Sequence, residues 1–262
     1  MSIKAAFFDI DGTLWDYDCV LPESTVKAVQ AFRANGNKAY LCTGRTKGHA
    51  MSPKLWQMGF DGLVAGCGTY AEDNGEIVYN HIIDDNLALK TVETCYKYKC
   101  YPMLEGTDCL YFSFDDFAQD EYGRKIMAEK DHVNYDLYDT WGEWKMNKLA
   151  CASKEGSDRD KVIEELGDYY DFLIHNDFVF EMVPKGHTKA SGMKLIIERL
   201  GINMDDTYAF GDSVNDINML EASGVGVAMG NASEIAKNAA DYVTTDIHDD
   251  GIYNALKHFE LI

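Results

Sequence analysis

Two aspartates stand one residue apart in the string Phe7-Phe8-Asp9-Ile10-Asp11-Gly12-Thr13-Leu14, directly after the apolar run Ala5 to Phe8. In an extended chain, residues i and i+2 point to the same side, so both carboxylates can face one reacting group. Like charges this close raise each other's pKa, so the pair implies a bound cation, a shared proton, or both. A calcium loop of the EF-hand type is excluded. That loop needs glycine at its sixth position and glutamate at its twelfth, whereas here Gly12 is fourth and Val20 twelfth. The same residue types also favour a helix cap or a turn, which stays open on this motif alone.

A second acidic string, Gly211-Asp212-Ser213-Val214-Asn215-Asp216, again follows an apolar run, Thr207 to Phe210. Brought to one place, Asp9, Asp11, Asp212 and Asp216 would crowd four carboxyl groups, a repulsion relieved by a hard divalent cation with oxygen ligands. Magnesium suits such a set. Thr43-Gly44-Arg45 offers a hydroxyl and backbone N–H groups after another apolar run, the arrangement that receives a phosphate oxygen. By its residues alone Lys189, at the start of a helix, reads as a solvated surface lysine, because an ammonium there opposes the helix dipole.

These strings need a scaffold that gathers them. Ala5–Phe8 and Lys38–Cys42 read as buried strands flanking a helix that starts at Pro22-Glu23-Ser24 and stops near Gly36, a right-handed βαβ unit. Their ends, at Asp9 and Thr43, then lie on the same sheet edge, where α/β sheets bind ligands. Asp61–Ala65 reads as a further strand, Gly66 to Thr69 as a turn, and Glu76–Tyr79 as a hairpin partner. Past Ile83 the chain turns rich in Tyr, Trp and acidic residues, with strands expected at 109–114, 148–153 and 178–182 and helices at 87–98 and 158–169. Strand and helix alternation resumes with a helix at 190–200 and strands at 207–210 and 225–229.

The fold expected is therefore α/β: a doubly wound, Rossmann-like parallel-sheet core of residues 1–82 and 186–262, with an inserted α+β cap at 83–185. The 262 residues are 46% hydrophobic and 12% aromatic, ample for a sizeable core. With 24 Lys and Arg against 44 Asp and Glu, the formal charge of −20 disfavours nucleic acid and anionic membranes as partners. The seven cysteines lack a CxxC pair and the histidines lack a metal-binding spacing, which argues against zinc and disulfides and points to a reducing cytoplasm. Gly224 to Gly230 mimics a dinucleotide loop, but the spacing is one residue too long and falls inside an expected strand. Cys42 reads as a buried filler, and Trp141 and Trp144 as core or interface material of the insert.

In their order, FFDIDGTL (7–14), CTGR (42–45), the lysine of GHTKASGMKLI (186–196) and FGDSVNDINML (210–220) resemble the haloacid dehalogenase-like hydrolases, most closely the Cof-type sugar-phosphate phosphatases. The tail strings GVGVAMGNA and ADYVTTDIHDDGI are similar to that group as well. The resemblance implies a magnesium-dependent phosphatase for small phosphorylated metabolites. Asp9 would be the nucleophile and Asp11 the general acid and base. Thr43, Gly44, Lys189 and Asn215 would hold the phosphoryl group. Asp9, the main-chain carbonyl of Asp11, and Asp212 would bind Mg2+, with Asp216 orienting the cluster or reaching the metal through water. A second hydroxyl in place of water as acceptor would make the enzyme a transferase or mutase, and lost turnover would leave a binding protein. Trp15, the run Asp16-Tyr17-Asp18 and Cys67-Gly68 depart from the family pattern; they are expected to shape the entrance without touching the catalytic set.

Overall fold

The computed structural model describes residues 2–50, 52–118, 121–128 and 133–262. By internal contacts the chain divides into two compact units, one of Met1–Gly44, Ser52–Tyr79 and Thr188–Ile262, the other of Arg45–Met51 and Asn80–His187. The segment Arg45–Met51 was expected with the first unit. It joins the second because its Thr46 N–H donates to the buried carboxyl of Glu105, in that unit's sheet.

The first unit opens with strands β1 (Ala5–Phe8), β2 (Lys38–Cys42), β3 (Gly62–Ala65), β4 (Tyr70–Asp73) and β5 (Glu76–Asn80). The second unit holds β6 (Cys100–Glu105), β7 (Cys109–Phe112), β8 (Val133–Asp136), β9 (Lys148–Ser153), β10 (Tyr170–Ile174) and β11 (Val179–Pro184). The chain then returns to the first unit for β12 (Thr207–Gly211), β13 (Val225–Ala228) and β14 (Tyr242–Val243).

In the first unit the strand order is β14-β13-β12-β1-β2-β3-β4-β5, with β14 through β3 parallel and β4 antiparallel to β3. All four residues of β1 are buried, as a continuous apolar run in a sheet covered on both faces requires. The hairpin partner of β5 is β4, a strand that falls between the expected turn at 66–69 and the expected hairpin strand at 76–79. Asn74 and Gly75, at φ of 48° and 80°, close that hairpin as two-residue turns with positive φ do. The place of β1 between β12 and β2 is what matters for chemistry, since the three loops leaving their carboxyl ends become neighbours.

The second unit is a six-stranded sheet, β10-β11-β9-β6-β7-β8, mostly antiparallel, with its own apolar core. Helices Asp85–Lys97 and Arg159–Leu166 lend Ala88, Val92, Val162 and Leu166 to that core, beside Trp144, Leu149 and Phe180. The second helix, expected to reach Tyr169, stops at Leu166. From Tyr170 the chain instead pairs with β11 as an unforeseen strand. Trp144 is buried in the core as expected, whereas Trp141 is 43% exposed.

Helix Lys189–Leu200 packs against the turn after β3 without a gap. Gly68 sits at φ 86°, and a Cβ there would stand 2.1 Å from the Thr188 carbonyl oxygen, so no larger residue fits. Thr188 caps this helix, its Oγ1 accepting from the Ser191 N–H while the Ser191 Oγ accepts from the Thr188 N–H. Gly68→Ala must therefore push the start of the helix away. We expect it to lower the unfolding free energy by about 1–3 kcal/mol in denaturant titration.

Candidate active site

Two strand ends of the first unit, those of β1 and β12, deliver the acidic groups. The Asp9 N–H still donates to Phe210 O at 2.9 Å, so Asp9 is held as an extension of β1. Asp212 follows β12 immediately, and a single turn of 3-10 helix, Val214–Asp216, brings Asp216 back toward it. Carboxylate oxygens of Asp9, Asp212 and Asp216 all lie within 4.8 Å of one another, and all three residues are buried.

Lys189 binds this group together. Its Nζ lies 2.5 Å from Asp9 Oδ1 and 2.6 Å from Asp216 Oδ1, and its side chain is 0% exposed. The sequence reading of a surface lysine is thus corrected. The helix-dipole argument against an ammonium in the first turn fails because two carboxylates reward it far more than the dipole opposes it. The second oxygen of Asp216 accepts the N–H groups of Asp212 and Ser213 at 2.9 and 3.0 Å. Asp216 is therefore engaged on both oxygens by the protein itself and orients the loop that presents Asp212.

Asp212 is steered by hydroxyls as well, accepting from Thr13 Oγ1 at 3.2 Å and from the Tyr17 hydroxyl at 3.1 Å. Asp11 is half-buried and lies outside the trio; its Oδ1 accepts the Trp15 indole N–H at 2.8 Å. These contacts correct the expectation that Trp15 and Tyr17 leave the catalytic set untouched. The loop curls back on itself, with Gly12 N–H donating to Trp15 O, and so returns the two aromatic side chains to the carboxylates. An aromatic residue just past a DxD string is the signal that would have found them.

Gly12 is where the two acidic loops meet. At φ 86° it needs a residue that tolerates that conformation, and a Cβ would stand 2.4 Å from Asp212 Oδ2. Its carbonyl accepts from Asn231 Nδ2 at 2.7 Å, while Asn231 Oδ1 accepts the Ile247 N–H, so a residue not foreseen in the sequence ties three loops together. Thr43 is buried at the end of β2, its N–H donating to Val64 O at 2.9 Å. Gly44 comes next, and a Cβ there would stand 3.2 Å from Asn215 Nδ2, which puts the two expected phosphate-binding loops side by side. Asn215 is oriented by the Ser213 hydroxyl, which donates to its Oδ1 at 2.6 Å.

The electrostatics show what this arrangement lacks. Burial pushes the Asp9 carboxyl well above its usual range; Lys189 opposes this, while Asp216, Asp212 and Asp11 add to it. Asp212 is pushed up to about 6 by burial and by Asp216, against the pull of Tyr17, Lys189 and Thr13. Burial alone would lower the Lys189 pKa, but Asp216 and Asp9 outweigh it and hold the ammonium charged. One buried lysine does not neutralise three acids, so hard oxygen donors are left in excess. That donor set fits a divalent cation.

A family model for haloacid dehalogenase-like hydrolases matches residues 6–256. The putative phosphatase YkrA of Bacillus subtilis is 30% identical over 262 residues, covering all of both chains. The 5-amino-6-(5-phospho-D-ribitylamino)uracil phosphatase YcsE of the same organism is 40% identical, covering 100% of this chain and 97% of its own. Among solved structures, the subclass IIB sugar phosphatase BT4131 superposes with a TM-score of 0.83 at 29% identity, over 99% of this chain and 100% of its own.

Two outcomes test the electrostatics. Lys189→Met strands two buried carboxylates and should cost about 3–5 kcal/mol of stability in denaturant unfolding. For Asp212 the folded-state value near 6 exceeds the unfolded value of about 4. The stability this group contributes is thus complete below about pH 4 and lost as pH rises through about 6. In chelator, Asp212→Asn should gain stability relative to the parent across that window. Added magnesium should reverse the preference, stabilising the parent alone.

Proposed function

The chain belongs to the haloacid dehalogenase-like hydrolase family, in its Cof-type branch of phosphatases, and from that premise we propose a Mg2+-dependent phosphomonoesterase that works through an aspartyl-phosphate on Asp9. The observation that carries this reading is the buried contact of Lys189 with Asp9 and Asp216 beside Asp212, at the carboxyl end of the central strand. It supports a carboxylate held in place for attack, with cationic charge beside it.

Asp9, Asp212 and the main-chain carbonyl of Asp11 would hold the magnesium, with Asp216 orienting Asp212. When bound, the ion supplies positive charge to offset that of the phosphoryl oxygens during transfer. Thr43, Gly44, Asn215 and Lys189 hold those oxygens, and Lys189 keeps Asp9 oriented. The Asp9 carboxylate attacks phosphorus as the ester P–O bond breaks, and protonated Asp11 gives its proton to the departing alkoxide. Asp11, now a carboxylate, takes a proton from water; the water oxygen bonds to phosphorus, and Asp9 is released.

The substrates are small phosphorylated metabolites. YcsE is named for a phosphorylated ribitylamino compound and BT4131 is a sugar phosphatase, and we carry over from these two relatives a phosphate monoester on a polyhydroxylated carbon chain. The first-unit residues named above act on the phosphoryl group and the oxygen it leaves, and we assign the choice of leaving group to the inserted unit, residues 83–185, acting as a cap.

Asp9→Asn should abolish hydrolysis of an aryl phosphate in Mg2+ while the circular dichroism spectrum stays unchanged; retained turnover would remove Asp9 as the nucleophile. Acid quenching of the parent with labelled substrate should trap a hydroxylamine-sensitive adduct on Asp9. Free phosphate should equal the alcohol released, and a deficit matched by phosphorylated acceptor would make the enzyme a transferase.

A further inference from the structure

Trp15 is 3% exposed, and its backbone is fixed at both ends of the peptide: its N–H donates to Ile10 O at 3.2 Å and its carbonyl accepts the Gly12 N–H at 2.8 Å. A tryptophan held this way has little rotamer freedom, so its indole N–H is a stationary donor pointed at Asp11 Oδ1, 2.8 Å away. An indole nitrogen donates and never accepts. Oδ1 therefore presents a lone pair to Trp15 in either protonation state of Asp11, and because the carbonyl oxygen of a carboxyl is the better acceptor, the contact favours a proton on Oδ2.

We infer that Trp15 is a positioning residue that divides the labour between the two oxygens of Asp11, Oδ1 serving as a fixed anchor and Oδ2 as the single site of proton transfer. This rests on the reading of Asp11 as the general acid and base. In the first half-reaction the Oδ2–H bond breaks as the P–O ester bond breaks, and the proton joins the electron pair left on the leaving oxygen. In the second, Oδ2 takes a proton from water as the water oxygen bonds to phosphorus and the P–O bond to Asp9 opens. Without this donor the carboxyl loses one of the contacts that fix its rotation about the Cβ–Cγ bond, and fewer turnovers start from the productive rotamer.

The effect must grow with the need for protonation, which separates it from a general loss of fold. For a series of aryl phosphates from 4-nitrophenyl to phenyl, kcat/KM covers the steps up to departure of the leaving group. Trp15→Phe keeps the buried ring and deletes the donor. We expect kcat/KM for 4-nitrophenyl phosphate within about twofold of the parent and that for phenyl phosphate lower by about tenfold, a fraction of what general acid catalysis contributes. Asp11→Asn should show the same steepening, and more of it. A Trp15→Phe profile parallel to the parent's overturns the inference while leaving Asp11 in its role. An Asp11→Asn profile parallel to the parent's overturns the reading on which it rests. If Trp15→Phe does not fold, 15N-tryptophan labelling decides: of the indole signals from four tryptophans, one should shift upfield in Asp11→Ala. No shift would refute the contact.

Discussion

A single ammonium group, enclosed where no water reaches it, holds this site in shape. Lys189 Nζ touches Asp9 and Asp216, and removing either side of that contact leaves a charge stranded in a low-dielectric interior. The rest follows as support. The capped helix that carries Lys189 is seated on Gly68, Asp216 returns its second oxygen to the loop of Asp212, and β1 runs between β2 and β12 so that the partners can meet. The site is thus a junction of elements distant in sequence, Asp9 and Lys189 being 180 positions apart.

The acidic trio and the lysine also divide the electrostatic work. Lys189 offsets part of the charge and fixes directions, and the oxygen donors left in excess are of the kind that suits a divalent cation. A site fully neutralised by its own side chains would bind neither metal nor phosphate. Here the protein tolerates an incomplete balance, visible in the raised carboxyls of Asp9 and Asp212.

Much of this was legible in the sequence because buried parallel strands announce themselves. Ala5–Phe8 and Lys38–Cys42 are continuous apolar runs that end abruptly in polar, chemistry-bearing residues, and the structure has strands over those same residues. What failed did so for physical reasons. Tyr170–Ile174 follows a helix whose stop at Gly167 is easily read through, and it is only partly buried, so its period is masked. Lys189 looked exposed because a linear reading weighs the dipole of its own helix and has no access to carboxylates folded in from elsewhere. Trp15 and Tyr17 were set aside as features of an entrance, since nothing in a one-dimensional string shows that a loop curls back and returns its aromatics to the residues just before it.

The two ends of the eight-stranded sheet carry a consequence for life in a crowded solution. An unpaired strand border is a template on which another chain can polymerise. On one side the border is β14, a strand of two residues, too short to nucleate a foreign ladder. On the other it is β5, half-exposed and opened by the charged Glu76, whose carboxylate is paired with Arg199. With its molecular charge of −20, the protein is built to resist cross-β aggregation at both margins of its eight-stranded sheet.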